Sequence, residues 1–229
     1  MGAYADAVAA DSPTYYWRLN TLGGAYPSSN GNAIGIWNVS TAAHEFREGW
    51  SGVDSTGRSV LATNCGLAAN DPTYTFTLPF SFDWWFFGFN SGNLSPNPQV
   101  ALIGSSASTS PGYWQWQASS RTLSFGDRTG IGHFANNVAM GVWHHMAYAI
   151  DTGGLTYWYL DGVLIGGGSP GATLSYLQAQ WANPQAGAPW LYTEIAMYGH
   201  LVSATRFAAH YAAGSLAYPT WTQTLASCV

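Results

Sequence analysis

The chain has 229 residues, of which 47% are hydrophobic, 16% aromatic and only 7% charged, with a formal net charge of −5 at pH 7. Its cations are six scattered arginines, which excludes nucleic acid as an expected partner because phosphate binding needs clustered positive charge. No segment approaches the ~20 apolar residues of a membrane span, and no basic stretch followed by an apolar one opens the chain. We therefore expect synthesis in the cytoplasm, with no membrane partner.

The first part of the chain predicts a short helix followed by strands. Residues 4 to 10 are rich in alanine and predict one helical turn, and Tyr15 to Leu19 predict the first strand. From Asn20 to Asp71, abundant Gly, Ser, Asn and Thr predict short strands joined by long loops.

Thr73 to Phe89 predict a long strand that is apolar on both faces, which must then be covered on both sides. Alternation gives one face with Phe80, Phe82, Trp84 and Phe86, and another with Asp83, Trp85, Phe87 and Phe89.

The second part predicts further strands, one hairpin and a helix. Asp161-Gly162 separates two β-rich runs, from Leu155 to Ile165, as a type I′ hairpin turn requires. Ser203 is a capping residue for a helix that Gly214 would end. The remaining predicted strands are Gln99 to Ile103, Tyr113 to Ala118, Leu123 to Phe125, Val142 to Ile150 and Trp190 to Tyr198.

Many short strands with turn residues between them favour an all-β, two-sheet antiparallel sandwich with a short C-terminal helix. The absence of helices between the strands argues against a parallel α/β sheet. Sandwiches of this length do not need to divide, so we predict a single domain over residues 1–229.

Several segments, in order, resemble the laminin G-like branch of the concanavalin A-like jelly rolls. They are an opening Pro-x-Tyr-Tyr-Trp-Arg-Leu phrase within Asp11 to Asn20, a central Phe80 to Trp85 strand, a Trp-His-His strand and Asp-Gly hairpin within Gly141 to Leu164, and a closing stretch from Glu194 to Gly214. The resemblance implies a jelly-roll core over about residues 11–214.

The resemblance also implies a function. Single laminin G-like domains without a signal peptide resemble accessory proteins on the particles of tailed bacteriophages. We therefore predict a non-enzymatic virion protein, a capsid-decorating or tail-surface subunit found on the virion surface. Its expected partners are the major capsid protein and other copies of itself, since sparse charge suits a chain packed into an assembly.

The alternative prediction is a module that binds carbohydrate on the host surface. Such sites stack sugar rings on aromatic faces with amides nearby, although large rings also fill cores and interfaces. The candidate ligand-binding residues are Trp114, Gln115, Trp116, Gln117, Trp181, Asn183 and Trp190.

A glycoside hydrolase is a remote third alternative. Glycosidases need two carboxylates at a set separation, and the Glu-x-Asp-x-x-Glu spacing of related glucanases is missing here. Glu45, Glu48 and Glu194 are the only glutamates, so we predict no catalytic residues and no enzyme activity.

Metal binding is weakly indicated. Calcium prefers several oxygen ligands, including carboxylates. Asp127, Asp151 and Asp161 lie in or beside predicted turns, and turn chemistry explains Asp151 and Asp161, so Asp127 is the calcium candidate; no other cofactor is expected.

His144 and His145 are adjacent in a strand and must lie on opposite faces, which favours structural roles. Cys65 and Cys228 could pair, but we favour unpaired thiols in a reducing compartment.

Overall fold

The computed structural model describes residues 2–19, 77–88, 138–139, 141–168 and 191–215 with their side chains, and the backbone of further strands between them. Sixteen strands and two helices lie in these parts of the chain. Asn183, Asp127, Cys65 and Cys228 lie outside the described residues, and so do the predictions made for them. No helix among the described residues is long and apolar enough to cross a membrane.

The elements up to the middle of the chain include the predicted first helix and first strand. They are α1 (Ala3–Ala10), β1 (Tyr15–Trp17), β2 (Ala25–Pro27), β3 (Ala33–Trp37), β4 (Glu45–Ser51), β5 (Arg58–Thr63), β6 (Gly66–Asp71), β7 (Phe80–Gly88), β8 (Gln99–Leu102) and β9 (Gly112–Gln117).

The remaining elements confirm the predicted hairpin and terminal helix and add two strands that the sequence did not predict, β11 and β15. They are β10 (Thr122–Gly126), β11 (His133–Asn136), β12 (Trp143–Ile150), β13 (Thr156–Leu160), β14 (Val163–Gly168), β15 (Leu177–Trp181), β16 (Trp190–Tyr198) and α2 (Ala204–Ser215).

The strands form two antiparallel sheets of eight strands each. In sheet A the order is β14-β13-β12-β7-β16-β5-β4, and β1 pairs with β16 beside β5. In sheet B the order is β11-β10-β9-β8-β15-β6-β3-β2. The protein is therefore mostly β, as the sequence predicts.

Strand β7 crosses the middle of sheet A and is buried along its whole length. It begins at Phe80, directly after Pro79, which has no backbone N–H to donate to a strand ladder. Its register with β12 opposes Trp85 to His145 and Trp84 to Met146, so the two faces alternate as predicted. We call the face that contains Asp83, Trp85 and Phe87 the helix face, because α1 and α2 pack against it.

The β13–β14 hairpin has the predicted turn. Asp161 and Gly162 both have positive φ, 51° and 76°, as a type I′ turn requires. The close packing of this turn on α2 is a second reason for glycine, since a Cβ at position 162 would lie 2.9 Å from the Cα of Ala208. The hairpin is thereby anchored to the terminal helix.

Helix α2 begins as predicted but ends differently. Ser203 caps its start by accepting a hydrogen bond from the backbone N–H of Arg206 at 3.3 Å. The helix continues to Ser215, so Gly214 does not terminate it. Gly214 instead allows close packing, because a Cβ there would lie 2.2 Å from Cζ2 of Trp85.

Candidate functional site

Asp83 is a buried carboxylate in the middle of β7, where all its neighbours along the strand are also buried. Its Oδ2 accepts hydrogen bonds from His210 on α2 at 2.7 Å, from His145 on β12 at 3.3 Å and from Tyr4 on α1 at 3.5 Å. Its Oδ1 accepts from the hydroxyl of Tyr198 on β16 at 3.3 Å. One carboxylate thus joins three strands of sheet A to both helices.

His210 lies between two carboxylates. Its Nδ1 is 2.7 Å from Asp83 Oδ2, and its Nε2 is 2.7 Å from Asp11 Oδ2. A neutral imidazole has one N–H, so only the imidazolium can donate both bonds. Burial alone would lower the pKa of His210, but hydrogen bonds to Asp83 and Asp11 and their negative charges raise it overall.

The ionisation of Asp83 follows from the same contacts. Burial alone would raise the pKa of this carboxyl, but hydrogen bonds from His145 and His210, together with the charge of His210, lower it. Both shifts favour the charged forms of Asp83 and His210, and each charge stabilises the other. Such a pair can lie at 0% exposure because neither charge is left uncompensated.

Asp11 and Arg206 complete the network at its outer end. The Nε of Arg206 lies 2.9 Å from both carboxylate oxygens of Asp11, and its Nη2 donates to the carbonyl of Ala7 at 3.1 Å. The charges alternate from Asp83 through His210 and Asp11 to Arg206 and sum to zero. We call these four residues, with His145, Tyr4 and Tyr198, the buried network.

The buried network contains one set of atoms that could hold a metal ion. Ligand atoms of Asp83, His145 and His210 lie within 4.8 Å of one another, and these residue types suit zinc. Direct hydrogen-bond contact between Asp83 and His210, with charges already balanced, fits a hydrogen-bonded network better than a metal centre. His145 Nδ1 has no hydrogen-bond partner in the described part of the chain.

His144 lies on the face opposite His145, as predicted. Its Nδ1 is 2.7 Å from Oδ2 of Asp161, and its Nε2 is 2.8 Å from the carbonyl of Ala139. Asp161 Oδ1 also accepts from the backbone N–H of His145 at 2.9 Å. The aspartate of the hairpin turn therefore also fastens the turn to β12, and both histidines have structural contacts.

Glu194, one of the three glutamates, is fully buried in a bulge of β16 with φ 52°. It accepts hydrogen bonds from the hydroxyl of Tyr16 and from Arg18, whose Nη2 lies 3.1 Å from Oε1. Burial, followed by the charge of Glu194, raises the pKa of Tyr16 well above its usual value, so the phenol stays a donor. This carboxylate is held within the protein and does not line an open cleft.

Sheet B separates polar from apolar residues by register. Strand β9 shows the division. Trp114 pairs with Val100 and Phe125 and so belongs to an apolar face. Gln115, the next residue, pairs with Gln99 and Ser124 and so belongs to a polar face. Strands β8, β10, β11 and β15 follow the same division, whereas the polar-face positions of β2 and β3 are Ala, Gly, Pro and Trp. The apolar face includes Ile34, Ile36, Leu67, Ala69, Val100, Leu102, Trp114, Trp116, Leu123, Phe125, Leu177, Ala179 and Trp181, with His133 and Asp71 at strand ends.

Most of the polar residues on the polar face of sheet B are amides, and we call it the amide face, although its positions in β2 and β3 are Ala, Gly, Pro and Trp. Its aromatic residues are Trp37, Tyr113 and Phe134. Its polar strand residues are Asn70, Gln99, Gln115, Gln117, Thr122, Ser124, Asn136, Gln178 and Gln180.

The register divides the ligand-binding residues suggested by the sequence. Gln115 and Gln117 belong to the amide face, whereas Trp114, Trp116 and Trp181 share the apolar face. Trp190 begins β16 in the other sheet. A tryptophan and the glutamine beside it in a strand cannot serve one site, because neighbours alternate between faces. The sequence missed the amide face because strand pairing, not proximity along the chain, brings its members together.

No family model matches the chain, and no curated protein matches it. Similar solved structures include Trypanosoma rangeli sialidase, with a TM-score of 0.66, 9% identity and coverage of 89% of this chain and 33% of that one. They also include the receptor binding domain of botulinum neurotoxin type G, with a TM-score of 0.59 and 14% identity over 87% of this chain and 51% of that one.

A third similar structure is the ligand binding domain of botulinum neurotoxin serotype D in complex with N-acetylneuraminic acid. Its TM-score is 0.62 at 8% identity, over 90% of this chain and 52% of that one. The chain thus spans between one third and about half of these proteins. At such identities, the likeness concerns the fold alone. It relates this chain to β-rich folds that occur both in an enzyme and in receptor-binding domains.

Proposed function

We propose that the chain is a non-catalytic carbohydrate-binding domain, built as a two-sheet jelly-roll sandwich whose amide face contacts the sugar. The observation that carries this proposal is the concentration of Gln and Asn on one face of sheet B. In a sheet with one packed and one solvated face, residues alternate between apolar and polar. The amide face has the composition of the solvated side.

The burial of sheet A supports the proposed sandwich. Phe82, Trp84 and Tyr148 lie on the face opposite the helices and are fully buried, so another layer covers them. The apolar face of sheet B has the size and composition to be that layer, and stacked sheets bury their apolar faces against each other.

Amide side chains suit sugar hydroxyls. Each Gln or Asn offers two N–H donors and a carbonyl acceptor, which matches the mixed donor and acceptor character of a hydroxyl. The register places Tyr113 and Phe134 on the amide face, and aromatic residues are the type on which sugars stack. A group of amides with a few aromatic residues is the composition expected of such a binding surface.

The contacts of three described carboxylates support binding without catalysis. Asp83 and Glu194 are buried and paired with His210 and Arg18, and Asp151 accepts from the backbone N–H groups of Gly153 and Leu155 in its turn. The strand residues of the amide face include no carboxylate. Glycosidases of the usual kind need an accessible pair.

The structural comparisons also support a binding role. A ligand binding domain with N-acetylneuraminic acid shares the fold at a TM-score of 0.62. The sialidase shares it over only 33% of its own length, so its activity does not transfer with the fold.

The test is a glycan array followed by calorimetry with the intact chain. We expect binding to at least one array carbohydrate, weakened at least tenfold in the double variant Gln115→Ala/Gln117→Ala. The matched control is Thr152→Ala/Thr205→Ala, which truncates two exposed polar side chains away from sheet B and is expected to bind normally. Absence of binding to every carbohydrate, or equal loss in the control variant, would refute the proposal.

The role on a phage particle stays a prediction from the sequence. Its specific support is edge strand β14, where Val163 is 64% and Leu164 54% exposed in a chain of sparse charge, a surface suited to self-association. Mass spectrometry of purified particles tests it: presence at a fixed stoichiometry supports the role, and absence from particles excludes it.

A further inference from the structure

We infer that the amide face selects neutral, hydroxyl-rich glycans and discriminates against sialylated ones; this inference rests on the proposed carbohydrate-binding function. It concerns the charge of the ligand and follows from where the cations of this chain lie. A carboxylate such as that of sialic acid is bound best by a cation, above all by the paired N–H groups of arginine.

The chain has few cations to offer. It contains six arginines and no lysine. Arg18 is engaged with Glu194, and Arg206 is engaged with Asp11. Arg47 and Arg58 belong to β4 and β5 of sheet A. These four arginines are therefore either paired or in the other sheet.

Sheet B itself has no arginine or lysine within its described strands. The two residues in those strands that can carry a charge, Asp71 and His133, fall on the apolar face by register. The amide face is thus uncharged at every described strand position. Its recognition groups are dipoles, which pair with hydroxyls and give no net attraction to an anion.

The overall charge acts in the same direction. A net charge of −5 repels anionic ligands weakly at long range. A surface without ionic groups also predicts binding that hardly responds to salt, because screening acts on charges. Salt dependence therefore separates this recognition mode from one based on arginine.

The experiment compares a neutral glycan with its sialylated counterpart. Lactose, 3′-sialyllactose and a set of neutral polysaccharides are displayed on one array. We expect binding to neutral members, affinity that changes less than about twofold between about 0.05 and 0.5 M NaCl, and weaker binding after sialylation. Tenfold preference for sialylated members would overturn the inference while leaving the carbohydrate-binding proposal standing. No binding to any member would overturn both.

Arg121 and Arg128 are the arginines outside the described residues, and they bracket β10 in sequence. The variant Arg121→Gln/Arg128→Gln therefore serves as a second measurement. We expect it to bind neutral glycans as the unaltered chain does. A tenfold loss of that binding would contradict recognition by uncharged groups.

Discussion

His210, on the last helix, donates a 2.7 Å hydrogen bond to Asp83, on the central strand of sheet A, although 127 positions separate them in sequence. The contact is fully buried, and the other nitrogen of the same ring reaches Asp11 beside α1. The two helices and the sheet therefore share one compensated set of charges.

Removing His210 should destabilise the protein strongly. His210→Ala leaves the carboxylate of Asp83 buried without its main partner, and loss of one member of a buried ion pair costs about 3–5 kcal/mol. Urea denaturation measures the loss. His200→Ala is the matched control, since this imidazole is exposed and should change the free energy of unfolding by less than about 0.5 kcal/mol. Equal effects of the two substitutions would contradict the assigned role.

The stability should depend on pH in both directions from a weakly acidic maximum. Because the pKa of His210 is raised on folding, its protonation stabilises the folded protein. This contribution to the free energy of unfolding is complete below the pKa of the unfolded chain, about 6.5, and is lost as the pH rises through the pKa of the folded protein. Because the pKa of Asp83 is lowered on folding, its ionisation stabilises the folded protein. This contribution is complete above the pKa of the unfolded chain, about 3.9, and is lost as the pH falls through the pKa of the folded protein.

Chemical denaturation across a pH series checks this dependence. The decline on the alkaline side should disappear in His210→Gln, which keeps a polar side chain but cannot be protonated. A native profile that rises with pH above about 6.5, or an unchanged profile in His210→Gln, would show that His210 is not the titrating group.

Gly214→Ala should destabilise the protein although alanine favours helices. The added Cβ would lie 2.2 Å from the ring of Trp85, which is itself fully buried, and overpacking of this kind costs about 1–3 kcal/mol. The reverse change at an exposed position of the same helix, Ala212→Gly, costs about 1 kcal/mol through helix propensity alone. The melting temperatures of both variants are compared with that of the native chain. A Gly214→Ala protein that melts at a higher temperature than the native chain would refute the packing argument.

The hairpin turn should tolerate asparagine but not alanine at position 161. Asp161 has positive φ and accepts from His144 and from the backbone N–H of His145. Asp161→Ala removes both acceptors and strains the turn, which we expect to cost about 2 kcal/mol. Asp161→Asn keeps an acceptor and tolerates the left-handed conformation, so its cost should be at most half as large. Similar unfolding midpoints for the two variants would contradict this account of the turn.

The parts of the fold that local patterns determine could be predicted from the sequence. Alternation in β7 separated Trp84 from Trp85 correctly, and Asp161-Gly162 marked the hairpin. The buried network could not be predicted, because its members come from segments far apart in sequence. An aspartate in an otherwise apolar strand, Asp83, indicates that a buried partner exists for its carboxylate. It does not indicate which residue that partner is.

The register that assembles the proposed amide face could not be predicted, for the same reason. Gln115 and Gln117 could be singled out beside Trp114 and Trp116 as neighbours in sequence, yet neighbours in a strand lie on opposite faces. The pairing of Gln115 with Gln99, and of Gln178 with Asn70, depends on register between separate strands. A single sequence does not contain that register.

The most direct test of the central claim follows the side-chain amides themselves. In a protein labelled with nitrogen-15, titration with a neutral oligosaccharide selected on the array should shift the side-chain amide signals of Gln115 and Gln117. The backbone signals of α2 should stay unchanged. Shifts confined to other parts of the protein, with the amide face unaffected, would contradict the claim that this face binds carbohydrate.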